Sequence, residues 1–297
     1  MSVTVRRNVI AYLFLMPWLL GFLIFTLGPM VSSLYLSFTR YELIQAPSWI
    51  GLDNYTEILF HDKRFISALK ATFLFVFLSV PLKLTFALFL AILLNRGLRG
   101  TGLYRSVYYL PSLLGGSVAV AIMWRQIFGK EGIINKLLET VGVQGLSWIS
   151  HPSYAIYTLI LLAVWQFGSS MIIFLAGLQQ VPDHLYEASA IDGATKWQQF
   201  TRITLPMLSP VVFFNLIMQT IGGFMVFTQG FIITNGGPMD TTLFYAIYLY
   251  MKGFAYFQMG YATALAWILL IIIGFFTAII FRSSRAWVFY ESGGKES

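Results

Sequence analysis

The sequence predicts an all-α integral membrane protein with six transmembrane helices. Three observations carry that reading. Apolar residues make up 58% of the 297-residue chain and charged residues only 10%, against about a quarter charged in a soluble globule. Apolar segments recur at about 9–38, 66–94, 104–128, 153–178, 207–234 and 258–281, each long enough to cross a bilayer as a helix of roughly 20 residues. None of the twelve Asp and Glu residues lies deep inside one of these segments. Lipid is therefore the expected solvent for most of the chain, and residues 1–297 read as a single membrane domain.

The first segment, Val9–Phe38, follows Arg6-Arg7 and begins like a secretory signal. A signal's apolar core is about 7–15 residues and ends at a small-residue cleavage site. This segment runs for 30 residues without one. As a helix it would measure about 45 Å against about 30 Å of hydrocarbon, so an uncleaved span is expected, tilted, overlong or bent near Pro29. In the second segment Lys83 follows Pro81 and is the one charge deep in a span. Intramembrane lysines are functional suspects; snorkelling, or pairing with a neighbouring subunit, is the competing account. The third segment holds Pro111 and Gly115-Gly116, a place for backbone flexibility. Arg125, after Trp124 near its outer end, is read as snorkelling.

In the fifth segment Asn215, Gln219 and Gly223 recur at i, i+4 and i+8 and so share one helix face. Amides facing lipid are costly, so this face is expected to look into protein or a wet cavity. Two readings stay open. One is helix packing, with Gly222-Gly223 allowing close approach. The other is a substrate path completed by Ser112 and Gly116 of the third segment and Trp165 and Gln166 of the fourth. Amides there would bond a substrate's polar groups and aromatic rings would cover its flat faces. The sixth segment opens on Gly260-Tyr261-Ala262-Thr263-Ala264, small residues suited to close packing.

An even number of spans puts both termini on one side. That side carries ten Lys and Arg with five Asp and Glu, and the other carries seven of each. Basic excess marks the cytoplasmic face, so both termini are expected there, together with the polar loop between the fourth and fifth spans. The net charge of +7 is thus an orientation signal; with no long basic run, nucleic acid is not an expected partner. The chain has no cysteine, hence no thiolate metal site. It has no phosphate-binding G-x-x-x-x-G-K-[ST] loop. His61, His151 and His184 lie in separate polar segments, and no nucleophile has an evident base. No catalytic or metal residue is assigned, and the chain is not expected to be an enzyme. Asn54-Tyr55-Thr56 is formally a glycosylation acceptor.

The polar loop 183–206 has a helix's signals. Asp183, after Pro182, is placed to cap a helix starting near Leu185. Glu187 falls in the first turn, where its charge suits the helix dipole. Asp192-Gly193 ends the helix, with glycine free to turn left-handed. Such a helix would stand out from the membrane as a knob for a soluble partner.

Glu187-Ala188-Ser189, then Asp192-Gly193-Ala194, then Ile203-x-Leu205-Pro206, resembles the "EAA" loop of permease subunits of ABC importers. Phe200, Leu208 and Pro210 fit its carbohydrate-type version. LMPWLLGFLIFTLGP in the first segment, SFTRYEL and WIGLDNY after it, Thr234–Pro238 and Thr241-Thr242 are similar to the same permeases, so the resemblance covers nearly the whole chain. It implies the type I ABC importer permease fold in its six-span form, without the extra N-terminal spans and large outer domain of the maltose-type protein. It implies that Glu187, Ala188, Ser189, Asp192, Gly193 and Ala194 contact and couple to an ATPase. It also implies a bacterial cell membrane, a second homologous but non-identical permease, and two ATPase subunits that hold the ATP and Mg. An extracellular binding protein would deliver a sugar, oligosaccharide or polyol. No cofactor would sit on this chain. In maltose-type permeases the corresponding helix positions line the substrate site, but several residue types differ here, so position carries over and chemistry does not. The alternatives are a permease of the same superfamily with another cargo, which hinges on Gly236-Gly237-Pro238, and an ion-coupled secondary transporter. The latter would want a carboxylate within a span.

Overall fold

A computed structural model describes residues 3–96 and 100–289, with side chains from Tyr12 onward. The charges of Arg99, Glu291, Lys295 and Glu296, and the side chains of Arg6 and Arg7, which entered the orientation count, lie outside that description. The described chain is mostly helical, with loops between the helices. Among the described residues a single antiparallel pair of two-residue strands, Thr39–Arg40 and Ser48–Trp49, forms with Thr39 opposite Trp49.

Four stretches form helices long and apolar enough to cross a membrane: Tyr12–Ser37, Lys63–Leu94, Lys196–Ile233 and Met259–Trp287. Two more are bent pairs, Thr101–Leu114 with Val118–Ile127 at 98° and Ala155–Trp165 with Gly168–Leu178 at 41°. Counting each pair as one span gives six, compatible with the predicted number. The third and fourth predicted segments are therefore broken, where the hydropathy pattern reads as continuous. The fifth helical stretch begins at Lys196, well before the predicted 207. Pro206 does not stop it, because it lies in the first turn of the Leu205–Phe224 α-helix, directly after π-helical winding over Phe200–Thr204, where a missing N–H costs least. Ser209 Oγ caps the Pro206 carbonyl at 2.6 Å, the acceptor that Pro210 leaves free.

The chain forms two compact units: Met1–Asp62 with Leu249–Leu270, and Lys63–Tyr248 with Ile271–Ser297. In the first unit the opening helix carries Pro17 within Val3–Phe22 and a π turn at Leu23–Leu27 before Gly28–Ser37. Its Trp18, Phe14 and Phe25 are exposed, a surface suited to lipid. Asn54, only 8% exposed, donates to the Ser37 and Thr39 carbonyls at 2.9 and 3.0 Å. Its amide thus ties the strand pair to the helix end, and the glycosylation reading gives way to this structural one. Gly260 is required by close approach: a Cβ there would lie 2.0 Å from the Thr39 carbonyl oxygen.

In the second unit Lys63–Leu94 is the central helix, packed by Ala155–Trp165, Gly168–Leu178 and Leu205–Phe224. Its buried residues, among them Ala68, Thr72, Val76, Ser79, Ala87 and Ala91, recur every three or four positions and so form one continuous face. Small residues on that face let neighbouring backbones come close, the usual basis of helix association in lipid. Phe73 fills the adjoining space with Phe77, Phe224 and Phe276, at ring distances of 5.5 to 5.8 Å.

Candidate functional site

Two regions of the second unit bring functional candidates together: the helix of the polar loop, and a cavity where the helices break.

The loop helix is Asp183–Ile191. It starts two residues earlier than expected, and Pro182 holds the cap position without a side-chain bond. Asp183 is therefore the first helical residue and acts through its charge on the helix dipole rather than as the cap. The C-terminus is as the sequence reads. Gly193 has φ +80°, its N–H reaches the Ala190 carbonyl at 3.1 Å, and the Ala194 N–H reaches Ser189 at 2.9 Å. This crossed pair closes the helix with a left-handed residue, a conformation that glycine adopts at least cost. Thr195 then opens the next helix through a reciprocal box: its N–H bonds Gln198 Oε1 at 2.7 Å, and Gln198 N–H bonds its hydroxyl at 3.3 Å. The hairpin is fixed locally at both ends of its turn.

What anchors the hairpin was not singled out in the sequence. Gln199, 4% exposed, donates to the Tyr186 carbonyl at 3.1 Å and to Ser189 Oγ at 2.9 Å. Tyr186 hydroxyl pairs with Thr204 Oγ1 at 2.9 Å. Ser189 thus faces inward and holds the hairpin together. Glu187, Ala188, Asp192 and Gly193 are exposed, Ala194 is half-buried, and Glu187 has no ion-pair partner among the described residues. Ile191 is 87% exposed and Trp197 71%. The outcome is a rigid two-helix knob with a carboxylate and two large apolar side chains on its outside.

The second region is a cavity of about 280 Å³ lined by Lys83, Gly116, Gln166, Gln219, Gly223 and Gln229, among others. It exists because two helices break beside it. A broken helix in lipid must satisfy the carbonyls it frees, and here side chains do so. Gln166 Nε2 donates to the Gly115 carbonyl at 2.9 Å, and Gln229 Nε2 donates to that same carbonyl at 3.0 Å and to Gln166 Oε1 at 3.2 Å. Ser112 Oγ donates to the Gln166 carbonyl at 3.0 Å and accepts the Ser169 N–H at 3.0 Å. Gly168 lets these helices meet, since a Cβ there would lie 2.4 Å from the Tyr108 carbonyl oxygen.

Of the seven substrate-path candidates, Gly116, Gln166, Gln219 and Gly223 meet at this cavity. Three do not line it. Ser112 is spent on the helix break. Trp165 packs against Trp124, with the rings tilted and their centroids 5.8 Å apart. Asn215 is buried and donates to the Val211 carbonyl of its own helix at 3.2 Å. Gly223 also serves packing, with a would-be Cβ 3.2 Å from Val76 Cγ2. Gln229 was hidden within the fifth apolar segment; its polar type there was the available signal. No group of three or more His, Cys, Asp or Glu residues suited to a metal occurs among the described residues.

Residues 55–287 match the family model described as binding-protein-dependent transport system inner membrane component. The chain is 54% identical over 290 residues to the probable ABC transporter permease protein YesP of Bacillus subtilis (strain 168), covering 97% of this chain and 94% of that protein. It is 37% identical to the arabinooligosaccharides transport system permease protein AraP of the same organism, over 88% of this chain and 84% of that one. It is 32% identical to the lactose transport system permease protein LacF of Rhizobium radiobacter, over 94% and 95%. Among solved structures, a bacterial ABC transporter involved in the import of the acidic polysaccharide alginate matches with a TM-score of 0.82 and 25% identity, over 95% of this chain and 97% of that chain.

Proposed function

The chain belongs to the binding-protein-dependent transport system inner membrane components, and from that membership we propose that it is a sugar-importing permease, one of two non-identical membrane subunits of an ATP-driven importer. Such a subunit is a transport component and not an enzyme. Its cargo is a sugar, an oligosaccharide or a related polyol, as the names of the arabinooligosaccharide and lactose relatives suggest. The observation that carries the mechanism is the knob at 183–206, pinned from inside by Gln199 and bare on the outside at Glu187, Ala188, Ile191 and Trp197.

In this reading both termini and the knob are cytoplasmic, as the basic excess on that side supports. Two ATPase subunits, which hold the ATP and Mg, receive the knobs of this chain and of its partner. Their closure moves the two knobs together. Because the Lys196 helix continues from the knob through Leu205–Phe224 to the cavity, that motion reaches the cavity without a hinge loop between. An extracellular binding protein supplies substrate to the outward-open form, and release of hydrolysis products resets the pair. Glu187, Ala188, Asp192 and Gly193 form the contact, Ser189 and Ala194 support it, and Gly116, Gln166, Gln219 and Gly223 lie on the path.

The test is purification of the tagged chain from its native host in mild detergent, followed by subunit masses and ATP-driven uptake in proteoliposomes. One second permease, two ATPase chains and ATP-dependent sugar uptake are expected. Isolation of the chain alone or as a homo-oligomer, with transport driven by an ion gradient, would overturn the reading.

A further inference from the structure

A second cavity, of about 790 Å³, lies where the knob joins the spans. Ile92, Asn95 and Arg96 line it from the end of the central helix, and Lys196, Trp197 and Phe200 from the second arm of the knob. Arg96 and Lys196 thus bring two positive charges to one space, and no Asp or Glu is among the residues lining it. Neither cation takes part in an ion pair among the described residues. Arg96 follows the C-terminal end of the Lys63–Leu94 helix, where the dipole favours a cation. Lys196 has no such support. It is the first residue of the helical stretch that runs to Ile233, the end at which the dipole disfavours positive charge. Its ammonium donates to Gln199 Oε1 at 3.1 Å, which satisfies one N–H and leaves the charge uncompensated. Because Gln199 is itself pinned to Tyr186 and Ser189, that bond fixes the ammonium beside the cavity. Two cations held on one space without a carboxylate attract an anion. The remaining wall is apolar: Ile92, Phe200 and Leu178, the last residue of the Gly168–Leu178 helix.

We propose that this cavity binds the phosphate of an anionic phospholipid, with Arg96 and Lys196 on the phosphate oxygens and the acyl chains leaving along Ile92 and Leu178. The proposal rests on the permease reading for its side of the membrane: the basic excess assigns this end of the spans to the cytoplasm, where basic pockets between spans meet anionic lipid. A guanidinium offers paired, charge-assisted donors in a plane that fits a phosphate, and an ammonium adds a point charge. The apolar wall favours a phosphate that carries acyl chains over a free one. At about 790 Å³ the space falls within the usual range for a small-molecule site, about 300–1,000 Å³. That admits a headgroup and the first methylenes of its chains, with the rest in the bilayer. The bound lipid joins the end of the central helix to the knob. Trp197 belongs both to the cavity wall and to the bare outside of the knob, so occupancy bears on the surface offered to the ATPase.

The experiment uses the complete importer with its ATPase subunits and binding protein. Native mass spectrometry counts the phospholipids retained, and sugar uptake per ATP is measured in phosphatidylcholine proteoliposomes with and without phosphatidylglycerol. Wild type is expected to retain phosphatidylglycerol in preference to phosphatidylcholine, and retention should weaken about fivefold for each of Arg96→Gln and Lys196→Gln. Arg96→Lys combined with Lys196→Arg keeps both charges and should keep the lipid. Phosphatidylglycerol should raise uptake per ATP at least threefold in wild type and not in the double Gln variant, with subunit assembly unchanged. The deacylated headgroup, glycerophosphoglycerol, and inorganic phosphate should not replace the lipid; if either does, the ligand is a soluble phosphate and the lipid assignment falls. Equal retention by wild type and the double Gln variant, or an equal response of the two to phosphatidylglycerol, would place the effect at the bulk membrane surface. Either result overturns the proposal and leaves the sugar-permease reading standing. Loss of assembly in the double Gln variant would overturn it by assigning the two cations to a subunit contact. Absence of ATP-driven uptake in every lipid would overturn the sugar-permease reading, while retention, read from masses alone, still decides the cavity.

Discussion

Gln199 reaches from the start of one helix to the Tyr186 carbonyl of another, 3.1 Å away and thirteen residues earlier in the chain. That bond, with the 2.9 Å bond to Ser189 Oγ, makes the two arms of the polar hairpin one body. A knob that transmits force must not shear, so the Gln199 amide is the mechanical centre of the coupling account. Gln199→Leu removes the donor, while the Tyr186 carbonyl keeps the Ser189 hydroxyl at 2.9 Å, so the cost is that of the lost hydrogen bonds, about 0.5–1.5 kcal/mol each. The expected outcome is a complex that still assembles but imports several-fold less substrate per ATP hydrolysed. Unchanged stoichiometry of transport to ATP would remove Gln199 from the coupling path.

Glu187 separates contact from folding. It is exposed and lacks an ion-pair partner among the described residues, so its replacement should leave this subunit's stability within about 0.5 kcal/mol. Glu187→Lys reverses charge at the proposed ATPase contact. Uptake is expected to fall to background while the melting temperature of the purified permease stays constant. Normal uptake at normal expression would take Glu187 out of the contact.

Gly193 tests the shape of the knob's end. At φ +80° with nothing within 4 Å of a would-be Cβ, the penalty for a side chain is backbone strain alone, about 1–2 kcal/mol. Transport should decline in the order Gly193→Asn, Gly193→Ala, Gly193→Val, since asparagine tolerates the left-handed region and β-branched residues do not. A flat response across the three would show that the turn is not held in use.

The Gly115 carbonyl accepts from both Gln166 and Gln229, which makes a double-mutant cycle informative. Either Gln166→Leu or Gln229→Leu leaves one donor in place. The double substitution leaves none, so its loss of thermal stability in detergent should exceed the sum of the single losses. Strict additivity would mean that the carbonyl finds another partner once the helix break relaxes.

Composition and local turn chemistry make part of the fold legible in the sequence. Apolar length located the segments, and Gly193 marked the end of the knob because no other residue adopts that turn so cheaply. The break in the third segment is legible in Gly115-Gly116, where the chain bends by 98°. The break from Trp165 to Gly168 is not, because it keeps the hydropathy of a continuous span, and the side chains that make the breaks tolerable, Ser112, Gln166 and Gln229, come from distant stretches. The same distance hid Gln199, whose partners lie ten and thirteen residues back. The polarity around Lys196 predicts a loop, whereas the capping box at Thr195 starts the helix there. Helix position places Trp165 and Asn215 on the cavity, and tertiary packing turns them elsewhere.

The central claim is that the 183–206 knob docks on an ATPase. The chain contains no cysteine, so Ala188→Cys, at an exposed position of the knob, introduces a single thiol. In membranes of the native host a maleimide–succinimide crosslinker at that thiol should yield one dominant adduct whose partner peptides come from an ATPase subunit. Its yield should change when ATP is added. An adduct with another class of protein, or labelling of the thiol by a membrane-impermeant maleimide from outside the cell, would contradict the account.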